Sequence, residues 1–321
     1  MTRRDEITNL LSDIGLALDD DDIAGRLEMN RHYVNQVCRH LALGGLTIRR
    51  QGPDGKLVNR WIGERRDPNL RSQLDEPPSL PPRRRKQSER ARSNVDELVS
   101  GFAHFVRRFE RSNAFPGPSL YFHERAIERR RGHRSASELL ADERFLEYVY
   151  AVLPAWGMHR MGRQAAKVGA FDEMVASLRA AAPRIQALWD LHICQLPAND
   201  VEAIADELWS VLASLRVSTS ATRIVAGSKA LHHVLPALVP PIDRQYTFQF
   251  FTGQKAVTKG DERALLAWFP YLAEVGHRAK DDIDAALTRG GFMATGPAKI
   301  IDNAIIGFMQ GGNGELGTDE A

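Results

Sequence analysis

Residues 220–251 read SATRIVAGSKALHHVLPALVPPIDRQYTFQFF, and most predictions about the larger part of the chain start from this stretch. Its apolar spacing predicts a helix that ends at residues 225–228 and a second helix that begins at Lys229. A pair of prolines then interrupts the helical pattern, because proline lacks a backbone N–H. Asp243 follows, and aspartate is a favoured N-cap for a further helix. The stretch therefore predicts three helices, joined by one tight turn and one proline break.

Helical periodicity continues on both sides of this stretch, over residues 95–310. One helical face carries apolar residues three and four positions apart, namely Val95, Leu98, Phe102, Phe105, Val106 and Phe109. Comparable stripes recur up to about residue 309, and prolines separate them. We find no alternating strand pattern of useful length there. The sequence therefore predicts an all-α unit over residues 95–310, followed by a frayed, glycine-rich tail at residues 311–321.

The composition changes abruptly over residues 65–94. This segment holds five prolines and almost no large apolar residues, so it cannot form a packed core. Its RRRK run at residues 83–86 is either solvated charge or a strap that follows phosphates. We predict a linker here, between an N-terminal unit at residues 1–64 and the all-α unit.

The N-terminal unit has a different order of elements. Apolar spacing predicts a helix over residues 5–17, and the acidic run at residues 19–22 suits the start of a short second helix. A third helix follows at residues 31–43. Two short apolar runs, LTIRRQ and LVNRWIG, flank the turn sequence GPDGK and predict a β-hairpin.

This order resembles the winged helix-turn-helix superfamily over residues 5–63. The resemblance implies that the third helix enters the DNA major groove and that the hairpin meets phosphates. Arg, Asn and Gln side chains form bidentate contacts with base edges. The candidate DNA-binding residues on these elements are Arg31, Asn35, Gln36, Arg39, Arg49, Arg50 and Lys56. The alternative is a protein-interaction module, in which the polar face of the third helix meets solvent.

The stretch at residues 220–251 looks like the helix-hairpin-helix DNA glycosylase superfamily. In that family a G-V-G-x-K hairpin precedes a helix, a V-P-V-D-type segment and another helix. The resemblance implies that Lys229 is the nucleophile, that Asp243 is the catalytic carboxylate, and that Gly227 and Ser228 bind a DNA phosphate. The chain departs from the family pattern at Val225, which stands in place of the first hairpin glycine, and in a shorter segment before the aspartate.

The chemistry expected of such a site follows from its residue types. A desolvated lysine has a lowered pKa, so part of it is a free amine that can attack C1′ of a flipped nucleotide. A nearby carboxylate stabilises the cationic sugar. The aromatic side chains available to receive the base are Trp156, Trp189, Trp209 and Tyr246. The alternative is structural: Lys229 is exposed and Asp243 serves only as a helix cap.

The whole-chain composition limits the other function classes. The 321 residues include 43 Lys and Arg against 41 Asp and Glu, a net charge of +2, so nucleic-acid binding must rest on local clusters. No metal site is expected at Cys38 and Cys194, because they are far apart in the sequence. None is expected at the His232-His233 pair, because no cysteine or carboxylate stands at ligand spacing on the same helix. We therefore predict neither metal nor cofactor. Without a signal peptide or an apolar run of about 18 residues, a cytoplasmic, nucleoid-associated protein is expected.

Together these patterns predict a mostly α protein that binds double-stranded DNA, with no membrane partner. Its helical unit is expected to excise or process a nucleobase. A non-catalytic winged-helix regulator, or a sensor of DNA structure, is the alternative. The sequence leaves open whether the chain forms a homo-oligomer.

Overall fold

A computed structural model describes most of the chain. The described residues are 3–14, 17–43, 45–51, 56–62, 82–112, 114–158, 168–220, 222–256 and 263–311. The described part of the protein is mostly helical, as the sequence predicts, and it has one small three-stranded sheet, in which a short strand joins the two strands of the predicted hairpin. The chain divides into two compact units, Met1–Ser79 and Leu80–Ala321.

The described part of the N-terminal unit contains three helices and three strands. They are α1 (Arg3–Ile14), β1 (Leu18–Asp19), α2 (Asp20–Arg26), α3 (Arg31–Leu43), β2 (Thr47–Gln51) and β3 (Leu57–Trp61). The sheet is antiparallel, in the order β1-β3-β2, and the hairpin register pairs Arg50 with Val58 and Ile48 with Arg60. The predicted apolar faces of α1 and α3 meet in the core, where Ile7, Leu11 and Val34 are fully buried. The predicted turn at residues 52–55 lies outside the described residues.

The C-terminal unit is built of helices. They are α4 (Pro82–Ser100), α5 (Phe102–Ser112), α6 (Pro118–Arg131), α7 (Ala136–Ala141), α8 (Glu143–Leu153), α9 (Phe171–Ala180), α10 (Ala182–Ala187), α11 (Val201–Ser214), α12 (Ile224–Val234), α13 (Thr247–Thr252), α14 (Ala264–Arg278), α15 (Lys280–Arg289) and α16 (Pro297–Gly311). A π-helical turn extends α8 at Pro154–Met158, and a short 3₁₀ turn forms at Ile193–Gln195.

Helix α4 begins inside the segment that the sequence analysis assigns to a linker. Proline suits the first position of a helix, and no proline follows Pro82 within α4. Ala91, Val95 and Leu98 lie on one face of α4 and are buried in the core of this unit. Residues 82–94 therefore belong to the helical unit. Residues 65–81 of the predicted linker and residues 312–321 of the predicted tail lie outside the described residues.

Helices α5 and α16 pack closely and form one wall of the unit. Gly307 allows the close approach, because a Cβ at this position would overlap the backbone of Phe105. Phe105 and Phe308 pack edge to face, with ring centroids 5.1 Å apart. The contact fixes α16, whose N-terminal half carries the buried polar residues Lys299, Asp302 and Asn303.

Candidate functional site

The helical unit contains a cavity of about 590 Å³. Both residues that the sequence analysis proposed as catalytic, Lys229 and Asp243, line it. Among the residues that the structure describes, the other charged lining residues are Arg244, Lys299 and Asp302, and the aromatic ones are Phe115, Trp156 and Tyr246. Volumes of this order are typical of sites for small organic ligands. The cavity thus combines several titratable side chains with apolar and aromatic walls.

Lys229 lies on α12 and is only 7% exposed, so the alternative of an exposed lysine is wrong. Its Nζ donates a hydrogen bond to the carbonyl oxygen of Trp156, at 2.7 Å. That carbonyl lies in the π-helical turn after α8, where Gly157 adopts a positive φ of 86°. Burial lowers the pKa of Lys229, while the charges of Asp243 and Asp302 raise it. The net result is a lysine that releases its proton more easily than one in water.

Asp243 follows the proline pair and precedes α13. Its Oδ1 accepts hydrogen bonds from the backbone N–H of Tyr246, at 2.6 Å, and of Thr247, at 3.4 Å. Asp243 therefore closes the turn that leads into α13, although the residue at the N-cap position is Tyr246 and not Asp243 as predicted. Because Asp243 also lines the cavity, this structural role does not remove it from the candidate site.

The predicted hairpin at residues 225–228 is wrong, because α12 runs without a break from Ile224 to Val234. Gly227 lies inside this helix, and its N–H donates to the carbonyl of Arg223 at 2.9 Å. A glycine is needed here for packing, since an added Cβ would come within 2.8 Å of Leu212 Cγ. Ser228 is fully buried. The predicted phosphate contacts of Gly227 and Ser228 need exposed amides, and these two residues offer none.

Ser228 instead connects α12 to the segment that presents Asp243. Its hydroxyl accepts from the N–H of Ile242, at 2.9 Å, and donates to the carbonyl of Val225, at 3.2 Å. These two hydrogen bonds hold α12, which carries Lys229, against the segment that carries Asp243, and both residues line the cavity.

Ser228→Ala should lower the free energy of unfolding by about 1–3 kcal/mol, because it leaves the buried N–H of Ile242 unpaired. Urea denaturation followed by tryptophan fluorescence measures the change. Ser100→Ala is the matched control: its exposed hydroxyl donates to the carbonyl of Glu97, and its loss should cost under about 0.5 kcal/mol. Equal losses for both variants would show that Ser228 does not tie the two segments together.

A second lysine–aspartate pair, which the sequence analysis missed, lies on α16. Lys299 Nζ donates to Asp302 Oδ2 at 2.7 Å and also to the side-chain oxygen of Asn303. The Lys299 ammonium lies 5.1 Å from the ring centre of Phe109 and 5.7 Å from that of Trp156. Burial raises the pKa of Asp302, and Lys299 opposes the shift. In the sequence, only the spacings of three and four residues from Lys299 to Asp302 and Asn303 indicate these contacts. Exposed ion pairs on helices show the same spacings, so the spacing does not reveal a buried pair.

Three buried histidines lie directly behind Lys229. His233 Nδ1 lies 2.8 Å from the carbonyl of Lys229, and His123 Nδ1 lies 3.0 Å from His233 Nε2. A carbonyl only accepts, so His233 carries its proton on Nδ1 and accepts from His123. His123 Nε2 in turn accepts from the hydroxyl of Thr295, at 2.7 Å. Burial disfavours protonation of all three rings, including His232, so they support α12 as neutral side chains.

Both histidines of the His232-His233 pair are fully buried, so neither ring is exposed to solvent. Burial lowers the pKa of His123 and His232 well below the usual value and that of His233 to about 4. In the part of the chain that the structure describes, no group of three His, Cys, Asp or Glu side chains is arranged to hold a metal ion.

The four aromatic residues proposed to receive a base separate into two pairs. Trp156 and Tyr246 line the cavity. Trp189 instead lies under the guanidinium of Arg130, with 3.3 Å between the guanidinium carbon and the ring centre. Trp209 packs against the core of the helical unit.

In the N-terminal unit, several candidate DNA-binding residues pair with acidic side chains of the same unit. Arg49 forms an ion pair with Asp20 and also donates to the carbonyl of Asn35. The side-chain amide of Asn35 donates to the same carboxylate at 2.9 Å. This differs from the predicted roles of Asn35 and Arg49, because their polar groups stabilise the junction of α2, α3 and β2.

Arg31 and Lys56 are more exposed, but they too lie beside carboxylates. Arg31 pairs with Asp21 at 2.8 Å, and Lys56 pairs with Asp19 at 2.9 Å. With Asn35, they border a small pocket of about 310 Å³ that is lined by the three aspartates at positions 19–21. The positive charge of this edge is thus largely neutralised.

Two further candidate DNA-binding residues lie on α3, where Arg39 is exposed and Gln36 is half-buried. Arg50 and Arg60 are exposed, and the strand register places them on the same face of the hairpin, with Ile48 and Val58. Among the described residues, neither Arg50 nor Arg60 forms an ion pair.

Comparison of the chain with protein-family models, with curated proteins and with solved structures finds no match. Within the described ranges, no helix is both long enough and apolar enough to cross a membrane.

Proposed function

We propose that this chain binds duplex DNA through its N-terminal unit and processes a single nucleotide in the cavity of its helical unit. The observation that carries the proposal is that Lys229 and Asp243 line one cavity of about 590 Å³. The reaction class is attack of an amine on C1′ of the nucleotide, as in DNA glycosylases that also act as lyases.

The arrangement of the N-terminal unit supports DNA binding. The order α1-β1-α2-α3-β2-β3, with an antiparallel sheet ordered β1-β3-β2, is compatible with a winged helix-turn-helix. Arg39 on α3, and Arg50 and Arg60 on the hairpin, are the exposed cations that would meet bases and phosphates.

The walls of the cavity suit a flipped base. A base taken out of the DNA stack needs an aromatic or apolar surface to replace its neighbours. Trp156 and Tyr246 supply aromatic surface, while Met158, Met293 and Ile306 supply apolar surface.

The environment of Lys229 suits a nucleophile. The hydrogen bond to the carbonyl of Trp156 uses one N–H, so a neutral amine at this position still has a lone pair to offer. The amine attacks C1′, and the electron pair of the glycosidic bond leaves with the base. The nitrogen of the new bond then loses a proton, for which the Asp243 carboxylate is the acceptor. The C1′–O4′ bond then breaks as the nitrogen lone pair forms the C=N bond of a Schiff base, and O4′ takes the proton that Asp243 received. Borohydride reduces the Schiff base to a stable amine.

A non-catalytic reader of flipped nucleotides is the second candidate. It is favoured by the fact that both polar groups already have protein partners, the carbonyl of Trp156 for Lys229 and the amides of Tyr246 and Thr247 for Asp243. Such a protein would bind the nucleotide and form no covalent adduct.

For the DNA-binding surface, we expect Arg50→Ala and Arg60→Ala each to weaken binding to duplex DNA and to reduce the slope of log K against log salt by about 1. The reason is that each lost phosphate contact leaves about one more counterion on the DNA. Fluorescence anisotropy over a salt series measures both quantities.

Arg3→Ala is the control, because Arg3 is exposed and lies on α1, outside the predicted contact elements α3 and the hairpin. If neither hairpin variant differs from the control in DNA affinity or in salt slope, the hairpin is not the surface that contacts phosphates. That result would favour the alternative that the N-terminal unit binds another protein.

A further inference from the structure

The Lys299–Asp302 pair is a charged pair that the proposed reaction does not yet use. Lys299 is 2% exposed and Asp302 is 5% exposed, yet both line the cavity. Removing two charges from water is costly, and one ion pair rarely offsets the whole cost. A pair at a cavity wall can recover part of that cost when a polar ligand binds beside it.

Each partner of the pair keeps an unused hydrogen-bonding position. The Lys299 ammonium has three N–H groups, and Asp302 and Asn303 take two of them. Asp302 accepts through Oδ2, and its Oδ1 accepts no hydrogen bond from any residue that the structure describes. The pair therefore offers one charged donor and one charged acceptor to a molecule in the cavity.

The hydrogen-bonding groups of the pair indicate the kind of base that fits. The proposed reaction uses Lys229 as a neutral amine, so among the described lining residues Arg244 and Lys299 are balanced by the carboxylates Asp243 and Asp302. The unused N–H of Lys299 suits a carbonyl oxygen, and the unused oxygen of Asp302 suits a ring N–H. A neutral, uracil-like base carries these two groups side by side, and an ammonium donor beside its carbonyl stabilises a base that departs with a negative charge.

We propose that Lys299 and Asp302 form the subsite for the departing base, and that the substrates are neutral, uracil-like bases that leave as anions. This inference rests on the proposed function, because it assigns the leaving group of the same reaction. The pair of electrons from the broken C1′–N bond passes to the base, and the Lys299 ammonium donates a hydrogen bond to the resulting anion. Asp302 Oδ1 accepts the remaining ring N–H, and a proton from water later neutralises the released base.

Direct ligand binding tests the subsite without any chemistry on DNA. The probe is 5-nitrouracil, a uracil-like ring whose neutral and anionic forms differ in ultraviolet absorption. Titrated with the full-length chain over a pH series, the bound ring should ionise at a lower pH than the free ring. Lys299→Met should weaken binding of the anion by about 10- to 100-fold, the range expected for loss of a hydrogen bond between charged groups.

Two controls separate the subsite from general effects. Lys280→Met removes an exposed lysine that pairs with Asp284 on α15, and it should leave ring binding unchanged. The 1,3-dimethyl derivative of 5-nitrouracil cannot ionise and has no ring N–H, so it should bind more weakly than the parent ring. If Lys299→Met does not fold, a double variant is used in its place, because it removes both charges of the pair. This double variant combines Lys299→Met with Asp302→Asn.

The inference is overturned if the wild-type chain binds no ring, if the bound ring ionises at the same pH as the free ring, or if the folded Lys299 variant binds it as wild type. Failure of the proposed function has a different signature, namely the absence of any borohydride-stable adduct with DNA. Ring binding that depends on Lys299 without such an adduct would place a base-binding subsite in a non-catalytic reader.

Discussion

Replacing Lys229 by alanine is expected to abolish the borohydride-stable cross-link between this protein and DNA, a loss of about 1,000-fold or more. Removing a nucleophile leaves only the contribution of binding to catalysis. Binding to DNA should change little, because contacts to phosphates dominate the affinity. Alanine is a good helix former, so α12 should persist. Gel electrophoresis of the trapped complex, beside an anisotropy measurement of binding, checks both parts.

Asp243→Asn should behave differently from Lys229→Ala. The side-chain oxygen of asparagine also accepts hydrogen bonds, so the amides of Tyr246 and Thr247 keep a partner. The charge that would stabilise the sugar cation is lost, and cross-linking should slow by about 100- to 1,000-fold. Lys280→Ala, an exposed substitution on α15, serves as the control with wild-type cross-linking.

The cross-linking rate also has an expected pH dependence. Only the neutral amine of Lys229 is a nucleophile, and burial lowers its pKa below the usual 10.5. The rate should rise with pH and level off at a pH below 10.5. A wild-type rate that is independent of pH, or variants that cross-link as wild type, would mean that Lys229 is structural.

The second large effect concerns acid. The folded-state pKa values of His123, His232 and His233 all lie below the value of 6.5 that they regain on unfolding. At a pH between the folded-state pKa and the unfolded-state pKa of a histidine, the unfolded chain binds more protons than the native chain. The free energy of unfolding therefore falls as the pH falls. The loss should begin near pH 6.5 and continue to about pH 4, where His233 itself is half protonated in the folded state. His233 alone accounts for about 3 kcal/mol.

A non-titrating variant isolates this contribution. His233→Gln can still donate to the carbonyl of Lys229 and accept from His123, but it does not bind a proton in this range. Its free energy of unfolding, from urea titrations at pH 8, 7, 6 and 5, should decline less steeply than that of wild type. His277→Gln, at an exposed position on α14, should follow the wild-type profile. Identical slopes in all three proteins would contradict the neutral, buried state of the histidines.

The fold could be predicted where a residue's neighbours in the sequence decide its structure. The apolar stripes of α1, α3 and α4 are such cases, since spacings of three and four are visible in the chain itself. The hairpin at residues 225–228 could not be predicted correctly, because Gly227 looks like a turn residue. Its actual role is to admit Leu212, a residue of another helix that the sequence alone does not connect with it.

The site was predictable in part for the same reason. Lys229 and Asp243 stand 14 positions apart in one recognisable stretch, and they do line one cavity. Lys299 and Asp302 come to that cavity from α16, which the packing of Gly307 against Phe105 brings close. Likewise, Arg49 looked like a phosphate contact because its partner Asp20 lies 29 residues earlier in the chain.

Mass spectrometry of the trapped complex tests the central claim most directly. The full-length chain is treated with borohydride in the presence of a panel of oligonucleotides that carry deaminated, oxidised or alkylated bases, and the cross-linked protein is digested and sequenced. The account predicts one reduced nucleotide adduct on the Nζ of Lys229, with an oligonucleotide whose damaged base is neutral and uracil-like. Adducts on exposed lysines only, or no adduct from any oligonucleotide that the chain binds, would contradict it.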